Sequence, residues 1–426
     1  MPETVVTIGS GVFNNKTNLT GVTIHNNVAT IHDNAFDGCV NLETVIFDGT
    51  WTKSISIGKS VFNGCINLKQ VVLPDALTEI GDAMFYQCLS LVWANIPTSA
   101  TRIGKNAFFG CTMYKGSDKN SPQNGLFIPK KVTSIEYRAF YGCTALEKVV
   151  FEDGTENLYM YDMNGAYDKT STVLAATFSG CKSLKAVTLP NRLKNIGASS
   201  FATCALTEIT IPASVEFIGA SAFANSTQLK NVYFADRAAD GSDTLEVYSS
   251  NLYKPFRDTI VEEIHLPNGL TRVSEYMFVG MSQLKKVYLP NTIHNTTYKD
   301  KNNTGCAIGS YAFSGCTELI YVEVAGGGTG AVSVAPGAFY NCRKLSTVIM
   351  PDKLSTYTDA NGKAQPLFTP SVFENCYKLE NITITEGTDN QFHSVYGMVT
   401  NADKTEIIYC PFGKSGVVVI PSYITS

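Results

Sequence analysis

The sequence predicts an α/β solenoid, a right-handed superhelix of about 14–15 short coils with a parallel sheet on one face and short helical turns opposite. Three observations predict it. An anchor phenylalanine recurs fourteen times from Phe13 to Phe373, and six of the intervals are 22 or 23 residues. After each anchor comes an alternating apolar pair, often closed by proline, as in Leu68, Val71, Leu73-Pro74 and Leu284, Val287, Leu289-Pro290. Ahead of several anchors stands Ile-Gly, and behind many stands Gly-Cys, as in Ile103-Gly104 followed by Gly110-Cys111.

Each unit opens on a short strand. Apolar residues at period two put alternate side chains on one face, and proline, which lacks an N–H, closes the run. A second apolar pair, Leu77 and Ile80 in the unit before Phe85, leads into a glycine suited to a tight turn at positive φ. The Ala-Phe-x-Gly-Cys segment then reads as one or two helical turns ended by glycine, at Gly38, Gly64, Gly110, Gly142, Gly180 and Gly315. A unit of about 23 residues cannot bury its own Phe, Leu, Val and Ile, so coils must stack. Parallel strands about 4.8 Å apart would then extend roughly 65–70 Å.

Composition limits the partners. The 426 residues are 44 % hydrophobic and 16 % charged, with 33 Lys+Arg against 37 Asp+Glu and a formal charge of −4. A large core is available, and the surface must be built mostly from Asn, Thr, Ser and Tyr. No clustered basic stripe occurs, so nucleic acid is not an expected partner. No apolar run reaches the roughly 18 residues a membrane-spanning segment needs, and Met1-Pro2-Glu3-Thr4 has no export signal.

The string Leu-x-x-Val-x-Leu-Pro-x-x-Leu-x-x-Ile-Gly-x-x-Ala-Phe-x-Gly-Cys, met along essentially the whole chain, resembles the BspA-type leucine-rich repeat of bacterial and protist surface proteins. The resemblance implies a leucine-rich-repeat fold and adhesion to host glycoproteins, extracellular matrix or other microbes. Residues 391–426 are similar to the hairpin-bearing variant common in that family. Val395-Tyr396-Gly397-Met398-Val399 and Ile407-Ile408-Tyr409-Cys410-Pro411 flank Asn401-Ala402-Asp403-Lys404, which reads as a turn joining two strands. The expected organisation is a solenoid over 1–390 continued by this variant over 391–426. The repeat is cut at nearly the same phase at both ends with no evident cap, which suggests a piece of a longer array or a mature chain after signal removal.

Chemistry-bearing motifs are sparse. Ten of the twelve cysteines stand three residues after an anchor, from Cys39 to Cys376. Stacked equivalents point the same way one strand spacing apart, which suits a disulfide poorly, so they read as buried thiols filling apolar space. Cys306 and Cys410 lie outside this ladder as the candidate free thiols. The five histidines (His25, His32, His265, His294, His393) show no ligand spacing, so no metal is expected. Asp300-x-Asn302-x-Thr304-Gly305 starts like a calcium loop, but its twelfth position is Tyr311 where glutamate belongs. Gly413-Lys414-Ser415 has Ile408 in place of the upstream glycine of a phosphate loop. No Gly-x-Ser-x-Gly elbow occurs and no serine or cysteine has an arguable histidine partner, so neither an enzyme nor a cofactor is expected. Asp162 and Asp168, in an insertion, are the remaining catalytic alternative.

What remains is surface. Residues between the buried pair of each strand point outward and form ladders across coils. Tyr233, His265 and Tyr288 fall on three successive coils of one ladder, with Glu263, Lys286, Tyr321 and Glu323 around them and Trp93 on the neighbouring ladder. Tyrosine and histidine join apolar area to a polar tip at low entropy cost, which makes these eight the candidate ligand-binding residues. Aromatic packing across adjacent strands is the plainer alternative. Insertions at 152–172, 235–251, 291–305 and 355–366 follow equivalent strands and form a second candidate edge. The expected function is that of a non-enzymatic cell-surface or secreted binding protein with a host protein or glycan as partner. A structural spacer presenting another domain is the alternative.

Overall fold

The computed structural model describes residues 2–117, 125–166, 174–238, 245–247, 253–296, 305–358, 363–387 and 390–425. They form a β-solenoid of about 12 turns, divided into two compact units, Met1–Gln228 and Leu229–Ser426. The sequence predicts fourteen or fifteen coils from the anchors; Phe13 and Phe373 are the end rings, each stacked on another anchor ring on one side only.

In the first unit, Gly21–His25, Thr44–Asp48, Gln70–Val71 and Trp93–Ala94 form one parallel sheet. Leu126–Ile128, Lys148–Phe151 and Ala186–Thr188 form another. Alternation sets the register: Val45, Val71 and Ala94 line up inward, whereas Ile46 and Val72 face solvent. Each coil also contributes to a second narrow parallel ladder at the Ile-Gly position, where the sequence predicts only a turn. Glu79–Ile80, Arg102–Ile103, Ser134–Ile135 and Tyr159–Met160 are an example. In the second unit Glu263–His265, Lys286–Leu289, Tyr321–Val324, Thr347–Met350 and Asn381–Ile384 make a five-stranded parallel sheet.

The anchor rings lie over one another inside each unit. Centroids of successive rings from Phe13 to Phe223 are 5.0–5.7 Å apart, and those from Phe256 to Phe373 are 5.3–6.0 Å apart. Burial of such a side chain contributes about 1.5–3 kcal/mol, and the offset stack adds roughly 0.5–1.5 kcal/mol per pair.

The expected helical turns are absent from the Ala-Phe-x-Gly-Cys segments. Each segment is a run of tight turns with left-handed residues four apart, such as Asn34 (φ 58°) and Gly38 (φ 68°). In a helix the anchor N–H would bond four residues back. Here it bonds the next coil instead, Phe36 to the Val61 carbonyl at 2.9 Å and Phe62 to that of Met84 at 2.9 Å. The left-handed residues turn alternate N–H groups toward the neighbouring coil, so the turns form a ladder as the strands do. A three-residue 3-10 helix at Pro370–Val372 is a short exception.

Glycine after isoleucine is needed for closeness, where the sequence suggests positive φ. Gly81 and Gly309 lie outside the left-handed region. A Cβ at Gly81 would stand 2.6 Å from the Gly58 carbonyl oxygen, and one at Gly309 would stand 2.6 Å from the Glu275 nitrogen.

All twelve cysteines are free thiols. The ten in the ladder are more than fillers, since every one donates to the carbonyl of the preceding coil's anchor. Cys65 reaches Phe36 O at 3.2 Å, and Ser226 makes the same bond to Phe201 O at 2.9 Å. Burial pushes the Cys181 and Cys316 thiols up to about 12. Cys306 is buried as well, which leaves Cys410 exposed.

Beyond residue 390 there are three strands where the sequence predicts two. Phe392–Val395 pairs antiparallel with Met398–Asn401 across Tyr396-Gly397, and Met398–Asn401 pairs with Ile407–Tyr409 across the Asn-Ala-Asp-Lys turn. Tyr409 packs its ring 5.9 Å from Phe373 and 5.4 Å from Phe368, which seats this sheet on the last anchor.

Candidate ligand-binding site

The five-stranded sheet of the second unit positions most of the candidate residues. Its register sets Glu263 beside Lys286 and Lys286 beside Tyr321 in one row, and His265 beside Tyr288 and Tyr288 beside Glu323 in the other. Ile264, Val287 and Val322 between the rows are buried, so alternation along each strand turns both rows outward.

The outward side chains order one another. The His265 ring stacks on Tyr288 at 4.3 Å, and Tyr288 meets Tyr321 at 5.5 Å in a tilted contact. Glu263 holds His265 Nε2 at 2.6 Å through one carboxylate oxygen and faces Lys286 Nζ at 3.9 Å through the other. The Tyr321 hydroxyl donates to Glu323 Oε2 at 2.6 Å. That bond pushes the Tyr321 phenol up to about 12, because ionisation would remove the donor and set two anions side by side. Exposed ion pairs contribute only about 0–1 kcal/mol each, so their effect here is orientation.

Tyr233 stands on the strand Asn231–Phe234. Among the described residues this strand runs beside Glu263–His265 without joining its ladder; the Ile260 N–H reaches Leu229 O at 3.0 Å just before them. Residues of both segments line a groove of about 420 Å³: Lys230, Asn231, Val232, Tyr233, Phe234, Glu262, Glu263 and His265. Tyr233 is 52 % exposed.

Seven of the eight candidates therefore belong to the second unit. Trp93 belongs to the first, where it is 9 % exposed and its Nε1–H donates to Gln70 Oε1 at 3.1 Å. Sequence reasoning missed Lys230, Phe234 and Glu262. A readable signal existed for two of them: Lys230, Glu262 and Lys285 occupy equivalent positions with alternating charge, and Lys285 pairs with Glu262 at 3.0 Å.

Other candidate chemistry does not gather. Asp162 is buried and its Oδ1 accepts the N–H groups of Asn164 at 2.7 Å and Ala166 at 2.9 Å, a turn-holding role. Asp168 and the calcium-like Asp300, Asn302 and Thr304 lie outside the described residues, as does part of each insertion. Among the described residues no three His, Cys, Asp or Glu cluster to hold a metal ion, and no helix is long and apolar enough to cross a membrane.

The chain matches the BspA type leucine rich repeat region over residues 1–115, 119–173, 165–243, 252–360 and 302–389. A leucine-rich repeat protein from Bacteroides ovatus, known by crystal structure, is 23 % identical over 89 % of this chain and 82 % of its own, with a TM-score of 0.60. A leucine rich cell surface protein from Faecalibacterium prausnitzii is 22 % identical over 86 % of this chain and 88 % of its own, with a TM-score of 0.39. No curated protein matches the sequence. Repeat and fold agree: the chain belongs to the BspA-type leucine-rich-repeat family, whose fold is typically a protein-binding scaffold.

Proposed function

We propose that the chain is a non-enzymatic binding protein of a cell surface or extracellular space, engaging a host protein or glycoprotein through the outward face of the second unit's sheet. One observation carries the reading: Tyr233, His265 and Tyr288 present aromatic area on successive coils, amid Glu263, Lys286, Tyr321 and Glu323 side chains already ordered by mutual contacts. Freezing a flexible side chain on association costs about 0.5–1.5 kcal/mol, and here much of that ordering precedes the ligand. The surface location is the expectation carried by the resemblance of the repeat.

The test replaces Tyr233, His265 and Tyr288 together with serine and measures binding to immobilised extracellular-matrix glycoproteins by surface plasmon resonance. A loss of about 30-fold or more is expected, the scale of a binding hot spot, with circular dichroism unchanged. Ile46→Ser, on the exposed sheet of the first unit, serves as the control that keeps full binding. Full binding by a folded triple variant would remove the patch from the function.

A further inference from the structure

We infer that the groove lined by Tyr233 and His265 takes one or two rings of a neutral, hydroxyl-rich saccharide, the glycan portion of the ligand proposed above, and the inference rests on that reading. Within the five-stranded sheet, neighbouring rings close on each other. His265 and Tyr288 stand one coil apart with their rings in contact at 4.3 Å, which leaves no room for a guest. Tyr233 and His265 also stand one coil apart, and both line a groove of about 420 Å³, within the roughly 300–1,000 Å³ of small-ligand sites. One face of His265 lies on Tyr288, so the ring bordering the groove is held in place from behind.

The lining suits a sugar better than the alternatives. Aromatic faces carry the negative part of the ring quadrupole, which attracts the polarised C–H groups on the flat side of a sugar ring. Around the rings stand carboxylates of Glu262 and Glu263, the Asn231 amide and the Lys230 ammonium. Hydroxyl groups can donate to the first three and accept from the last two. Glu263 is held by His265 at 2.6 Å and faces Lys286 at 3.9 Å, and Glu262 is held by Lys285 at 3.0 Å, so the acceptors are aimed before binding. Two carboxylates against one ammonium in the lining disfavour an acidic saccharide. A basic peptide is the competing occupant, and it would depend on the Glu262 charge, which a sugar hydroxyl does not require.

The experiment is isothermal titration of the full chain with three probes: a panel of neutral oligosaccharides, a hyaluronate tetrasaccharide and a pentalysine peptide. Saturable binding of a neutral oligosaccharide is expected, weakened tenfold or more by Tyr233→Ala and by His265→Ala. Ile46→Ser leaves it unchanged. Absence of neutral-sugar binding overturns the inference, as does binding indifferent to both alanine variants. Stronger binding of hyaluronate overturns it too, and so does pentalysine binding lost in Glu262→Gln. A fourth arm separates the inference from the reading beneath it. If a matrix glycoprotein stripped of its glycans binds as tightly as before and still loses affinity in the triple serine variant, the groove is a protein contact. The sugar inference then fails while the proposed function stands. If the intact glycoprotein ignores the triple variant, the proposed function fails.

Discussion

Replacing Phe140 by alanine removes a fully buried ring that meets Phe108 at 5.0 Å on one side and Phe178 at 5.2 Å on the other, with Tyr114 at 6.3 Å. Core Phe→Ala changes cost about 3–5 kcal/mol, and loss of stacking on both flat faces places this one at the upper end. Phe13 supplies the contrast: it is half-buried and stacks on Phe36 alone, so its removal should cost roughly 1–2 kcal/mol. Both tryptophans, Trp51 and Trp93, lie in the same unit as these rings, so tryptophan fluorescence during urea unfolding reports on that unit. With a urea slope of about 3 kcal/mol per molar, Phe140→Ala should move the midpoint down by about 1–2 M and Phe13→Ala by about 0.5 M. Because a coil touches only its neighbours, the Phe140 defect should also broaden the transition. Equal shifts for the two variants, or less than about 0.3 M for Phe140→Ala, would refute a column stabilised by stacking on both sides.

Three further outcomes follow from the same geometry. Gly81→Ala places a methyl 2.6 Å from the Gly58 carbonyl oxygen, whereas Gly9→Ala meets nothing within 4 Å. Thermal unfolding should show the first losing about 2 kcal/mol or more and the second staying within about 0.5 kcal/mol of wild type. Iodoacetamide at pH 8 should alkylate Cys410 alone in the folded chain, as read by mass spectrometry, because the other eleven thiols are buried and Cys181, Cys316 and Cys376 are pushed up to about 12. Adducts on ladder cysteines without urea would contradict the packing. Tyr321 should titrate near 12, above the unfolded phenol near 10, so its bond to Glu323 contributes stability that is fully present below about pH 10 and lost as pH rises through 12. Glu323→Gln should return that phenol toward the ordinary range in an ultraviolet titration.

The strands and their outward rows were legible because period two leaves little choice. Once Val287 is taken as buried, Lys286 and Tyr288 must face out, and the structure has them so. The turns were not legible, and the reason is local. An Ala-Phe-x-Gly-Cys string suits a helical turn as well as a left-handed one. The first left-handed position is also occupied by Ser60, Ala83, Arg138 and Tyr276, residues that disfavour positive φ when alone. Hydrogen bonds to the adjacent coil, such as Ser60 N–H to Asp82 O at 2.8 Å, hold them there, and no single unit contains that information. The groove was hidden for a related reason. Asn231–Phe234 and Glu263–His265 both read as strands, and nothing within either segment says that the ladder between them fails to form.

That interruption bears on whether the aromatic row is cross-strand packing alone. Were the aromatic row only cross-strand packing, each ring would seek the next, as His265 seeks Tyr288 and as Tyr86, Phe109 and Tyr141 stack at 4.8 and 5.0 Å in the first unit. Tyr233 is more than half exposed and lines a groove that His265 also lines. Interior positions have no such freedom. An anchor ring contacts coils on both sides, its N–H reaches the next coil, and its carbonyl accepts a thiol, so a change there disturbs at least two coils together. Outward positions carry no such double constraint, so on the proposed reading they are where side chains can vary with the ligand while the stacked interior stays fixed.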